Sequence, residues 1–165
     1  MTLAIGASPS HVSRVTESSP DYTDELNARL GGWNAAMGLR HVRATRDEVI
    51  LELEVGEQHR QPYGVVHGGV YAGIVETACS VGAAIDALSY GKAAVGLENS
   101  TSFLAAVREG VLRVVARPLS RGKRTQVWEA TVSDASGRAV ASGRVRLLVI
   151  DPEIPLAGSA VKAEP

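Results

Sequence analysis

In the stretch YGVVHGGVYAGIVETACSVGAA, residues 63 to 84, His67 and the pair Gly68 and Gly69 open an apolar run whose single acid is Glu76. If the run is helical, its first amides lack intrahelical acceptors and point outward, and the aligned peptide dipoles favour negative charge there. Glycines at such a start leave room for a reacting group beside the backbone. A carboxylate farther along can act as a nucleophile or as a base. Together these parts suit attack on a carbonyl whose oxygen gathers negative charge as the new bond forms. Eight residues of helix separate Gly68 from Glu76, about 12 Å of rise. That is too far for both to grip one carbonyl, because reacting atoms must approach to about 3–3.5 Å.

Glu76 has a second reading, pairing with an arginine to hold an interface. Ionising a carboxylate inside an apolar helix is costly without partners, and Ser80, four residues on, shares its face and can donate a hydrogen bond or hold a water. His67 is a general acid or base, or a loop histidine whose ring bonds to backbone and shapes the turn. Cys79 lies among apolar neighbours with no basic side chain within a turn, which makes it a packed core residue rather than a nucleophile.

The elements that must carry these groups follow from periodicity. Residues 68 to 88 are dense in Ala and Gly, without proline, and apolar on nearly every face, so the spacing predicts one long helix buried on most sides. The segment TDELNARLGGWNAAMG reads as a short helix capped by Thr23 or Asp24, interrupted in propensity by Gly31 and Gly32. Val49, Leu51, Leu53 and Val55 alternate with polar or outward residues as in a half-buried strand, with a turn at Arg46 and Asp47 joining it to a preceding strand. Four more strands are expected over about 93 to 105, 110 to 118, 124 to 134 and 138 to 150, with Gly110 and Gly137 in turns. The pattern implies an α+β fold, one long helix against a mainly antiparallel sheet.

Domain limits follow from the ends. Residues 1–20 and 151–165 lack periodic apolar pattern and read as flexible tails around one domain at 21–150. The 165 residues, 45% of them hydrophobic and 21% charged, suit a single globular domain. One cysteine excludes an intrachain disulfide, and no signal-like start or uniformly apolar span of 18 residues is present, so a cytoplasmic location is expected. His11, His41 and His59 show no metal-ligand spacing, and no metal site is expected. Residues 108 to 146 carry nine Lys and Arg against three acids, whereas residues 1 to 107 carry seven against twelve. Positive potential in the second half suits an anion, either a phosphate-bearing small molecule or simply solvent on charged strand faces. With Trp128 the only aromatic there after Phe103, nucleic acid is not indicated.

The motif YGVVHGGVYAGIVETACS, with STSFLAAVREG at 100 to 110 and LSRGKRTQVWEATVSDASGRAVASG at 119 to 143, resembles hotdog-fold acyl-CoA thioesterases. The resemblance is to the group of phenylacetic-acid-pathway and Arthrobacter-type 4-hydroxybenzoyl-CoA thioesterases. It implies a long central helix wrapped by an antiparallel sheet, with Glu76 as nucleophile or base toward water. It further implies the Gly68 N–H and Gln61 at the thioester oxygen, His67 as the histidine before the glycines, and Ser80 supporting the carboxylate or its water. No cofactor is implied, coenzyme A being part of the substrate. Members pair as homodimers, often doubled to tetramers, with the amide of one protomer facing the acid of the other, which answers the 12 Å conflict.

The resemblance also places the nucleotide of coenzyme A against the loop 120–125, with Lys123, Arg124 and Thr125 as contacts; Arg suits phosphate by its bidentate geometry. Asn99 and Thr101 line the acyl channel or satisfy strand ends. Two rivals share the fold: an acyl dehydratase or hydratase, which would use a histidine with an acid, and a non-catalytic module that binds acyl-CoA.

Overall fold

The computed structural model describes residues 19–160. Residues 1–18, nearly all of the N-terminal stretch expected to be a flexible tail, and 161–165, the end of the C-terminal one, lie outside the described residues. After two short helices, α1 (Thr23–Ala28) and α2 (Gly32–Ala36), come β1 (Arg40–Ala44) and β2 (Val49–Glu54). A 3-10 turn at Glu57–His59 leads into the long helix α3 (Gly68–Leu88). The chain then runs through β3 (Ala93–Phe103), β4 (Val111–Arg121), β5 (Thr125–Ser133) and β6 (Ala139–Ile150). Residues 151–160 add a two-stranded hairpin, β7 (Pro155–Leu156) with β8 (Ser159–Ala160).

Every pairing in the six-stranded sheet is antiparallel, in the order β1-β2-β4-β5-β6-β3. Alternation puts Val49, Leu51 and Leu53 of β2 on the face that α3 covers, and Leu112, Val114 and Ala116 of β4 beside them. From α3, Ile74, Val75, Ala78, Cys79 and Ala83 complete the buried core. By length and composition α3 could cross a membrane, but one side of it lies buried on the sheet.

Helix and sheet approach closely because small residues permit it. A Cβ on Gly82 would lie 2.3 Å from the Trp128 ring, and one on Gly143 would lie 2.9 Å from Val75. Trp128 is fully buried, and its indole N–H donates to Gln126 Oε1 at 2.8 Å. Gln126 in turn donates to Asp86 Oδ2 at 2.9 Å, and Arg46 donates to Asp86 Oδ1 at 2.6 Å. A buried carboxylate near the end of α3 is thus compensated from β5 and from the turn between β1 and β2, as burial of charge requires.

One expectation is corrected. The segment 23–38 is two helices rather than one, because Gly32 takes φ +55, in the left-handed region that glycine alone adopts cheaply. Neither Thr23 nor Asp24 is the N-cap: Tyr22 holds that position without a side-chain bond, and Asp21 Oδ1 accepts the Thr23 N–H at 3.0 Å instead. Asn27 then clips α1 to the sheet, donating to the His41 carbonyl and accepting the His41 N–H, both at 2.9 Å.

Gly82→Ala tests the close approach. Helix propensity favours alanine by roughly 0.5–1 kcal/mol, whereas overpacking against Trp128 costs about 1–3 kcal/mol. Urea unfolding of the variant is expected to show a net loss of stability.

Candidate active site

The α3 N-terminus is built by His67. Its backbone is extended (φ −68, ψ 137), and its Nδ1 accepts the Gly69 N–H at 2.9 Å while its carbonyl accepts the Val70 N–H at 2.9 Å. The ring thus caps the helix through Nδ1. With the Gly69 and Val70 amides engaged, the Gly68 N–H has no acceptor among the described residues. It is the donor that faces outward, as helix starts provide.

The loop before α3 is held from both sides. His59 is buried, accepting the Gly56 N–H on Nδ1 at 2.8 Å, so its Nε2–H is the atom that donates to the Met37 carbonyl at 3.0 Å. The His67 N–H donates to the His59 carbonyl at 2.8 Å. Between them Gln61 closes a turn, its carbonyl accepting the Gly64 N–H and its N–H donating to the Val65 carbonyl, each at 2.8 Å. Gln61 and Gly68 therefore line one cavity of about 300 Å³, together with Tyr71, Phe103 and Leu104. The Phe103 ring packs directly beside residue 68, where a Cβ would lie 2.5 Å from it unless the ring moved.

The acid lies elsewhere on α3. Glu76 is half-buried, with Ser80 Oγ donating to Oε1 at 3.1 Å and Asn99 Nδ2 donating to Oε2 at 2.9 Å. Thr101 Oγ1 donates to Asn99 Oδ1 at 2.6 Å. The chain thus assembles two groups, Gln61 with Gly68 and Glu76 with Ser80, Asn99 and Thr101. Eight residues of helix, about 12 Å, stand between them.

The cationic loop meets a third feature. Lys123 lines a cavity of about 450 Å³ with Arg46, Tyr90, Lys92, Arg121 and, at its floor, Asp86. Arg124 and Thr125 are exposed beside it, their carbonyls accepting the Val149 and Gly122 N–H groups at 2.9 Å. Arg46, Tyr90 and Lys92 escaped sequence reasoning because each is far from the loop in the chain; of the cavity's cations, the loop 120–125 and the charge asymmetry covered Arg121 and Lys123. Among the described residues no cluster of His, Cys, Asp or Glu could hold a metal ion.

Residues 63–141 match the family model described as the thioesterase superfamily. The chain is 31% identical over 118 residues to the 1,4-dihydroxy-2-naphthoyl-CoA hydrolase of Listeria monocytogenes, covering 72% of this chain and 95% of that protein. It is 32% identical over 128 residues to the proofreading thioesterase EntH of Cronobacter turicensis, covering 77% of this chain and 93% of the relative. The crystal structure of the thioesterase HI1161 from Haemophilus influenzae superposes with a TM-score of 0.74 at 28% identity, covering 78% of this chain and 90% of that one.

Cys79 is buried beside this machinery. Burial pushes its thiol well above the ordinary range, and the charges of Glu76 and Glu129 add to the shift. An aromatic disulfide reagent at pH 8 is expected to leave the folded protein unlabelled and to titrate one thiol per chain after unfolding in guanidinium.

Proposed function

The chain belongs to the thioesterase superfamily, has its hotdog fold and is a thioester hydrolase, and within that frame we infer that it cleaves acyl-CoA esters as a homodimer with composite sites. The finer affiliation we infer is with the phenylacetic-acid-pathway and hydroxybenzoyl-CoA thioesterases, working in the cytoplasm. The observation that carries this reading is the division of the site along α3, with an unengaged amide and Gln61 at one end and a hydrogen-bonded carboxylate two turns away. A second protomer reconciles them, setting Glu76 of one chain opposite the partner's Gly68 and the partner's Gln61.

The surface available for that pairing supports it. β3 is an edge strand, and on it Leu97 is 51% exposed and Phe103 57% exposed. An open edge with apolar side chains invites another strand, and a two-fold dimer would place both edges together. Doubling to a tetramer belongs to the same proposal.

In the reaction, the thioester oxygen sits against the Gly68 N–H, the end of α3 where dipoles favour the developing charge. Glu76 attacks the carbonyl carbon or draws a proton from the water that does. The C–S bond breaks as the tetrahedral centre collapses, releasing the CoA thiolate and, after water has added, the free acid. Ser80 supports the step by donating to the carboxylate or holding that water. Lys123, with Arg124 and Thr125 beside it, takes the phosphates of the nucleotide.

CoA release from phenylacetyl-, benzoyl-, short-chain and long-chain acyl-CoA tests the reaction. Glu76→Ala and Glu76→Gln are each expected to lower turnover at least about 100-fold with the oligomer intact; unchanged turnover would return Glu76 to a structural role. Mixing Glu76→Ala with Gly68→Ala chains tests the composite site. If sites are shared, refolded mixtures regain about a quarter of wild-type activity, since half the dimers carry one intact site; a mixture no more active than its components places both halves in one chain. Lys123→Ala is expected to raise KM for acyl-CoA about 3- to 10-fold and to leave hydrolysis of an N-acetylcysteamine thioester, which lacks the nucleotide, unchanged.

A further inference from the structure

We propose that Asn99, aimed by Thr101 and turned inward by a β-bulge at Leu97, is a positioning residue for Glu76; the inference rests on Glu76 being the catalytic carboxylate. The bulge is the starting point. β3 pairs with β6 through Gly96 opposite Leu147, and the next pair is Glu98 opposite Arg146, so Leu97 has no partner of its own. On β6, Val145 and Leu147 are buried under α3 and Arg146 is exposed. Unbroken alternation from an inward Gly96 would send Glu98 inward and Asn99 outward.

The extra residue resets that alternation. Glu98 now faces outward, where Arg146 meets it at 3.0 Å, and Asn99 falls opposite Val145 on the inner face. Gly96 and Asn99 therefore both reach the same carboxylate. A Cβ on residue 96 would lie 2.5 Å from Glu76 Oε1, so only glycine leaves the oxygen its place.

The orientation of the Asn99 carboxamide is determined by chemistry. Its Nδ2 lies 2.9 Å from Glu76 Oε2 and 3.0 Å from the Ala72 carbonyl, and an ionised carboxylate and a carbonyl only accept, so the NH2 group must be on that side. Its Oδ1 on the other side accepts the Thr101 hydroxyl at 2.6 Å. Thr101 shares the inner face, two residues on, with its Oγ1 over Gly143. Ser80 holds the other carboxylate oxygen, Oε1, at 3.1 Å. Each oxygen of Glu76 thus receives one neutral donor, from the helix and from the strand, and the carboxylate plane cannot turn without breaking one. A carboxamide committed in this way aims the acid rather than lining an acyl channel.

The test uses the full chain and the best acyl-CoA ester. Asn99→Leu removes both donors at similar volume and is expected to lower kcat about 10- to 100-fold with KM held within about twofold. The acidic limb of the kcat–pH profile is expected to move to higher pH, because a donor that favours the ionised carboxylate has gone. Asn99→Asp moves the limb further in the same direction by setting a second carboxylate against the first. Thr101→Val, which leaves Asn99 present but unaimed, gives a smaller shift of the same sign and carries the test should Asn99→Leu fail to fold. A raised KM with kcat and the acidic limb unchanged would make Asn99 a substrate contact and overturn the proposal, as would wild-type kinetics in all three variants. Full activity in Glu76→Gln would remove the premise instead, so the two failures are told apart.

Discussion

The structure depends on how closely one long helix can lie against a sheet. A 21-residue helix buried along one side must bring its backbone near the strands, and side chains larger than hydrogen at a few contacts would hold it off. Gly82 accepts the Trp128 ring, and Gly143 accepts Val75 and the Thr101 hydroxyl. With that distance set, the helix is a rigid ruler. Everything attached to it, the capped start, the acid and the buried Asp86, stands at a spacing the backbone dictates.

Polar groups in this interface are paired in chains rather than singly. The indole N–H of Trp128, the carboxamide of Gln126, the carboxylate of Asp86 and the guanidinium of Arg46 form one continuous line from the core to the surface. Arg121 joins it from above, 5.8 Å over the Trp128 ring and within 3.8 Å of Asp86. Such a line locks the end of α3 to the β1–β2 and β4–β5 turns, because removing one member would leave a buried charge or donor uncompensated. The cationic cavity around Lys123 is the outer face of the same arrangement.

At the other end of the ruler, the same constraint separates the candidate site's groups. A helix start offers an anion-stabilising amide at only one place, and a carboxylate on the same helix cannot be brought to it by any side-chain rotation over about 12 Å. One chain therefore holds the Gly68 amide and the Glu76 carboxylate apart, the separation on which the proposed composite site rests. The open edge of β3, running beside Glu76 and ending in exposed Phe103 over Gly68, borders both halves at once.

The sequence by itself determined the elements whose signal is local: α3 from a proline-free, Ala- and Gly-rich run, the alternating face of β2, and the turns at Gly110 and Gly137, which take φ +91 and +83. It also singled out Glu76, Gly68 and Ser80, since an isolated acid in an apolar helix, a hydroxyl one turn on and glycines at the helix start stand out without any contact map, whereas Gln61 entered only through the family resemblance. Only the tertiary structure decided the rest. The union of Arg46, Tyr90 and Lys92 with Lys123 depends on partners distant in the chain. The bulge at Leu97 is the sharpest case, because GLENSTSF has no apolar alternation from which a one-residue slip could be read. Which side of β3 faces the acid is settled by pairing with β6, whose buried Val145 and Leu147 leave Asn99 and Gly96 no other side to occupy.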